Sequence, residues 1–146
     1  MFLKGKRCIK MDDPSFRYDS NYPSQCPPSD AVSPEKLRLF RICKYSIQNS
    51  NGELNEKNFI PVCENKKRNF PPKKECISKA LSFLGTLTKC KEIEEKYPNL
   101  GSKQIEVILN NKCGMIKKTN SLHYSLWDFK HPCICEAIGN DWKEVK

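Results

Sequence analysis

The stretch CGMIKKTNSLHYSLWDFKHPCIC, residues 113–135, decides the fold class. Its apolar residues Met115, Ile116, Leu122, Tyr124, Leu126, Trp127 and Phe129 form short β-prone runs that predict two or three strands. Trp127 reads as core, because a large aromatic in a strand contributes most when it is buried. Strands crowded into the C-terminal third, with helical patterns upstream, make the chain α+β. The expected domain is small, single and disulfide-rich, with two or three helices and a short antiparallel sheet built largely by that third.

Upstream, Ser33-Pro34-Glu35 has the chemistry of a helix start: a hydroxyl cap, a proline in the first turn and an acid at the positive dipole end. Leu37, Phe40 and Cys43 or Lys44 then recur at three-residue steps, which predicts about three helical turns ending at Asn49-Ser50-Asn51-Gly52. Phe59 to Cys63 reads as a strand-like piece kept at an edge by Pro61. Lys66 to Lys74 reads as a basic loop. Cys76, Ala80, Phe83 or Leu84, and Leu87 form a stripe that predicts a second helix from about Pro72 to Leu87. Cys90 to Tyr97 continues helically until Pro98, and residues 102–109 fit helix and strand equally. Residues 1–33 carry Pro14, Pro23, Pro27 and Pro28 and read as an irregular arm, 34–138 as the stapled domain, and 139–146 as a polar tail.

Nine cysteines, Cys8, Cys26, Cys43, Cys63, Cys76, Cys90, Cys113, Cys133 and Cys135, are spread along the whole chain. That spread favours disulfides of an oxidising compartment over metal knuckles, so all nine are candidate half-cystines. Pairing is open: eight partners alone allow 105 connectivities. The odd ninth leaves a buried thiol or an intermolecular bridge, and hence a disulfide-linked dimer as one option. Cys133 and Cys135, in extended backbone, point to one face and are expected to pair elsewhere. The opening Met1-Phe2-Leu3-Lys4-Gly5-Lys6 has no apolar h-region, and the expectation is a chain that begins after a removed leader. No run approaches the apolar length of a membrane span.

Lys and Arg exceed Asp and Glu by 26 to 17, a net +9 that attracts acidic partners. The candidate contact residues are Lys66, Lys67 and Arg68, Lys73 and Lys74, Lys117 and Lys118, and Trp142 in the tail. These short scattered runs disfavour nucleic acid, and sulfated glycans, acidic receptor loops and anionic lipid headgroups fit the same sign equally well; the expected partner is an acidic protein or glycan.

The catalytic inventory is thin. His123 and His131 are the only imidazoles, and no nucleophile elbow or phosphate-cradling glycine loop is present. Cys63-Glu64-Asn65-Lys66 resembles a fragment of pancreatic-type ribonucleases, but no histidine occurs in the N-terminal two-thirds. His131, Cys133 and Cys135, with Cys113 or His123, offer zinc-type donors without the usual Cys-x2-Cys pairs. No catalytic residue, metal ligand or cofactor is therefore assigned. The alternatives are an intracellular zinc- or nucleic-acid-binding module and a small secreted hydrolase using His123 and His131.

Cys113-Gly114-Met115-Ile116, Trp127-Asp128 and Cys133-Ile134-Cys135-Glu136 resemble the closing segment of C-type lectin-like domains. Cys26 and Cys43 have the separation of that family's early and first-helix cysteines. Asn51-Gly52-Glu53-Leu54 sits at its Gly-x-Leu turn, and Phe83-Leu84-Gly85 stands at its Trp-Ile-Gly-Leu core. The resemblance spans about residues 8–136 and implies bonds from Cys43 to Cys135 and from Cys113 to Cys133. The core tryptophan is absent, Cys63, Cys76 and Cys90 are extra, and the helical reading of 88–109 departs from the family's long loop. Without Glu-Pro-Asn or Gln-Pro-Asp, the resemblance implies protein binding rather than calcium-dependent sugar binding. The chain thus reads as a secreted, basic, cysteine-rich extracellular binding protein of the toxin, parasite-effector or receptor-ligand kind.

Overall fold

The structure, a computed structural model, describes residues 15–17, 22–23, 25–64 and 70–145. In chain order the described residues form β1 (Leu37–Cys43), α1 (Glu75–Ser78), β2 (Leu81–Leu84), α2 (Leu87–Lys96), β3 (Lys103–Leu109), β4 (Gly114–Asn120), β5 (His123–Asp128), α3 (Ile134–Ile138) and β6 (Trp142–Glu144). All six strands join one antiparallel sheet in the order β4-β5-β2-β1-β3-β6. Four of them lie beyond residue 102, so the α+β class and the C-terminal weight of the sheet are as expected.

Register explains the core. Leu39 pairs with Val107, Leu81 with Leu126, and Ile116 with the same Leu126, so these side chains share one face. Residues Ile47, Leu54 and Phe59 from the segment after β1, and Ile134 and Ile138 from α3, cover that face. The opposite face carries Trp127, fully buried against Ala31 and Ala80, with its indole Nε1 donating to the Cys76 carbonyl at 2.9 Å. α2 also packs on this side: Thr86 caps it by accepting the Lys89 N–H, and Glu94 accepts from the buried Gln104 of β3.

Several elements differ from expectation. Residues 37–43 are a strand, because Leu-Arg-Leu-Phe-Arg-Ile-Cys alternates as well as it steps by three, and β3 pairs along all seven positions. The expected 72–87 helix shrinks to a 3-10 turn and the single helical turn of α1. Its second half becomes β2, since Leu81 to Leu84 are needed between β5 and β1. Phe59 is core and Val62–Glu64 is a 3-10 turn, not an edge strand. Residues 103–109 are β3. Cys133 and Cys135 flank the start of α3 instead of lying in extended backbone. The tail from 139 supplies β6, whose Trp142 pairs with Val107 and packs on the core.

The described part of the N-terminal arm is tied down. Phe16 bridges Phe129, Val32 bridges Ile116, and Cys26 is bonded to Cys76. Gly101 is required where the chain enters β3: φ is +135°, and a Cβ there would lie 2.2 Å from the Cys43 carbonyl oxygen.

Candidate functional site

β1 and β2 are paired at one position, Phe40 with Leu84. Past it β1 follows β3 and β2 follows β5, leaving a split in the middle of the sheet. Arg41 fills the base of that split: its Nε donates to the Asn58 carbonyl at 2.9 Å and its NH1 to the Ser82 carbonyl. The rings of Phe59 and Phe83 lie 5.4 and 5.5 Å from the guanidinium carbon. Burial pushes the Arg41 pKa below its ordinary value, against smaller attractions to Cys43 and Asp128. No salt bridge is made by Arg41 among the described residues.

The split opens into a groove of about 550 Å³. Seven large apolar side chains stand well exposed among the described residues, and five of them, Tyr45, Ile60, Val62, Tyr97 and Leu100, line this groove at 40–51% exposure. Such clustering sets this groove apart, since single exposed apolar residues need no explanation. Arg41, Lys44 and Lys57 supply positive charge, against one carboxylate, Glu64, which is itself engaged within the chain. The wall is held by Asn58, whose amide accepts the Tyr45 N–H at 2.9 Å and donates to the Tyr45 and Ser46 carbonyls. His123 lines the far end, with Nδ1 2.7 Å from the Thr119 hydroxyl. Burial, helped by the charge of Lys89, lowers its pKa and keeps the ring neutral at physiological pH.

A smaller cavity of about 160 Å³ lies at the other end of β5, between Arg17, Phe59, Phe129 and Cys133. There Arg17 grips Asp128 through Nε at 2.8 Å and NH2 at 2.7 Å, both on Oδ2. Burial raises the Asp128 pKa, and Arg17 partly offsets the rise. His123 opens β5 and His131 lies three residues past its other end, a strand of roughly 17 Å between them, so they do not converge.

The sequence-derived candidates are dispersed. Lys66, Lys67, Arg68 and Cys8 lie outside the described residues. Lys73 and Lys74 are exposed in the turn before α1. Lys117, bridged to Asp30 at 3.1 Å, and Lys118, over the Tyr124 ring, sit on the edge strand β4. Trp142 is on the opposite edge, about 24 Å away across five strand spacings, and half-buried. They form no single patch. Arg41, Lys44 and Lys57 were not singled out from the sequence, because they are isolated cations that only the sheet split brings together.

Of the candidate half-cystines, the structure bonds Cys26 to Cys76 and leaves Cys43, Cys90, Cys113, Cys133 and Cys135 as thiols. The broad framework is corrected to that extent, and the bonds implied by the lectin-like resemblance, Cys43–Cys135 and Cys113–Cys133, are not made. Cys43, Cys90 and Cys113 are fully buried and serve as small apolar residues. Burial pushes the thiols of Cys43 and Cys113 up to about 11 and those of Cys90 and Cys135 to about 12. No group of three or more His, Cys, Asp or Glu side chains is placed to hold a metal ion among the described residues. No helix there is long and apolar enough to cross a membrane. Compared with protein-family models, curated proteins and solved structures, the chain matches none.

Proposed function

We propose that this protein is a secreted, non-enzymatic binding protein of the toxin, parasite-effector or receptor-ligand kind that engages an acidic protein or glycan. One observation carries the reading: a braced groove concentrates exposed apolar side chains around Arg41, Lys44 and Lys57 on a molecule of net charge +9. Apolar area supplies affinity, while a positive potential steers an acidic partner and sets register. The Cys26–Cys76 bond supports an oxidising compartment. The separation of the two histidines supports a role without acid/base chemistry.

The test is retention on an immobilised sulfated glycan and on an immobilised acidic protein at physiological salt, followed by salt elution. Wild type is expected to be held by one of them, and the double variant Lys44→Glu, Lys57→Glu to elute at clearly lower salt. Passage of wild type through both matrices, or identical elution of the variant, overturns the reading. For the compartment, peptide mapping of unreduced protein should recover the Cys26–Cys76 linked pair; nine alkylatable thiols would refute export.

A further inference from the structure

We infer that the split between β1 and β2 binds a single-chain organic anion, an acyl-chain carboxylate, with its head on Arg41 and its chain along the apolar wall. The inference rests on the groove of the binding-protein reading and goes beyond it: the acyl carboxylate takes the split at the groove's base, on Arg41, and Lys44 and Lys57 at the rim are left for the acidic macromolecule.

Arg41 carries five N–H donors in one plane. One Nε bond goes to Asn58 and one NH1 bond to Ser82, both to neutral carbonyls, so the guanidinium is anchored without being neutralised. The guanidinium carbon lies over the Phe59 and Phe83 rings, 5.4 and 5.5 Å from their centroids, and the N–H donors not used on Asn58 and Ser82 suit a carboxylate. Burial lowers its pKa, so an incoming anion meets a cation already stripped of part of its water. Beyond it, Ile42, Leu84, Ile93, Tyr97 and Leu100 continue as apolar lining. The volume, about 550 Å³, falls inside the ~300–1,000 Å³ range of small-molecule sites.

A peptide strand added to the split is the competing occupant. Such a strand would need backbone acceptors along β2, and the Ser82 carbonyl is already taken by Arg41. Asn58 likewise ties its side chain to residues 45 and 46. The observations therefore favour a ligand that asks for a cation and an apolar wall and not for a free strand edge.

The experiment is calorimetric titration of the full chain with dodecanoate below its micelle concentration, with dodecanol and dodecyltrimethylammonium as neutral and cationic counterparts. Dodecanoate is expected to bind one per chain, about 10- to 100-fold more tightly than dodecanol, the gain of a charge-assisted hydrogen bond. The cation is expected not to bind. Arg41→Met should remove the preference for the acid over the alcohol. Since that variant also frees two carbonyls and can fail to fold, Leu100→Glu on the exposed rim is the second arm, expected to weaken dodecanoate at least tenfold. No dodecanoate binding, equal affinity for the alcohol, or an unaffected Leu100→Glu each overturns the inference. So does an acidic amphipathic peptide that displaces dodecanoate with higher affinity, which assigns the split to a protein partner. The matrix-retention test above is read separately: retention without dodecanoate binding overturns the acyl ligand alone.

Discussion

Cys26–Cys76 closes a loop of 50 residues and links the N-terminal arm to the turn that presents Ala80 and the Cys76 carbonyl to Trp127. In the chain-entropy view, a bond of that span removes about 14 cal/mol/K from the denatured ensemble, or about 4 kcal/mol at 25 °C. Unfolding 146 residues releases roughly 0.3 kcal/mol/K, so this loss corresponds to a midpoint about 13 °C lower. The perturbation is Cys26→Ser with Cys76→Ser, made together so that no new thiol is exposed for exchange. Urea denaturation followed by tryptophan fluorescence reads it directly, since buried Trp127 reports the neighbourhood of the bond. Wild type under reductant should fall by the same amount, and the m-value should rise as the denatured state expands. A loss under about 1 kcal/mol, with the reduced wild type equally unmoved, would refute the reasoning: the arm would then be held by Arg17, Phe16 and Val32 alone.

Gly101→Ala places a Cβ 2.2 Å from the Cys43 carbonyl at a φ of +135°, and should cost more than about 3 kcal/mol; a change below about 1 in thermal melting contradicts the close approach. Arg17→Met leaves Asp128 buried without its cation and should cost about 3 kcal/mol at pH 7. Burial raises the Asp128 pKa and Arg17 opposes the rise, so without Arg17 the folded form takes up the proton more readily and the deficit should shrink as pH falls toward 4; an equal deficit at both pH values defeats the pairing argument. Cys43, Cys90 and Cys113 ionise only near 11 to 12 in the fold but near 8.5 when unfolded. Their stabilisation is complete below pH 8.5 and drains away as pH rises, by about 2 kcal/mol each at pH 10. Iodoacetamide at pH 8 should therefore spare them until urea is added, and rapid labelling of all three in the native state would show that they are not packed as described.

What local chemistry determined is visible in particular segments. Between 113 and 129, β-prone aromatic and aliphatic residues allow little but strands, and β4 and β5 form there with Trp127 fully buried. The sign of the surface follows from counting charges. Helical character from Cys90 to Tyr97 was legible because charge flanks a sparse apolar stripe and Pro98 forbids continuation, and α2 covers 87–96.

Elsewhere two periods coincide in short apolar runs, and only partners distant in sequence break the tie. Leu37 to Cys43 is a strand because Ile105 and its neighbours, some 64 positions on, pair with it along its whole length, which no window of local sequence can register. The cysteine chemistry is likewise tertiary: whether a sulfur meets a partner or an apolar wall depends on which surfaces close over it, and spacing is blind to that. The groove is the clearest case. Arg41, Lys44 and Lys57 are ordinary in sequence, and they converge because β1 and β2 pair once and then part, turning a cation that would have pointed into the core into the floor of a groove.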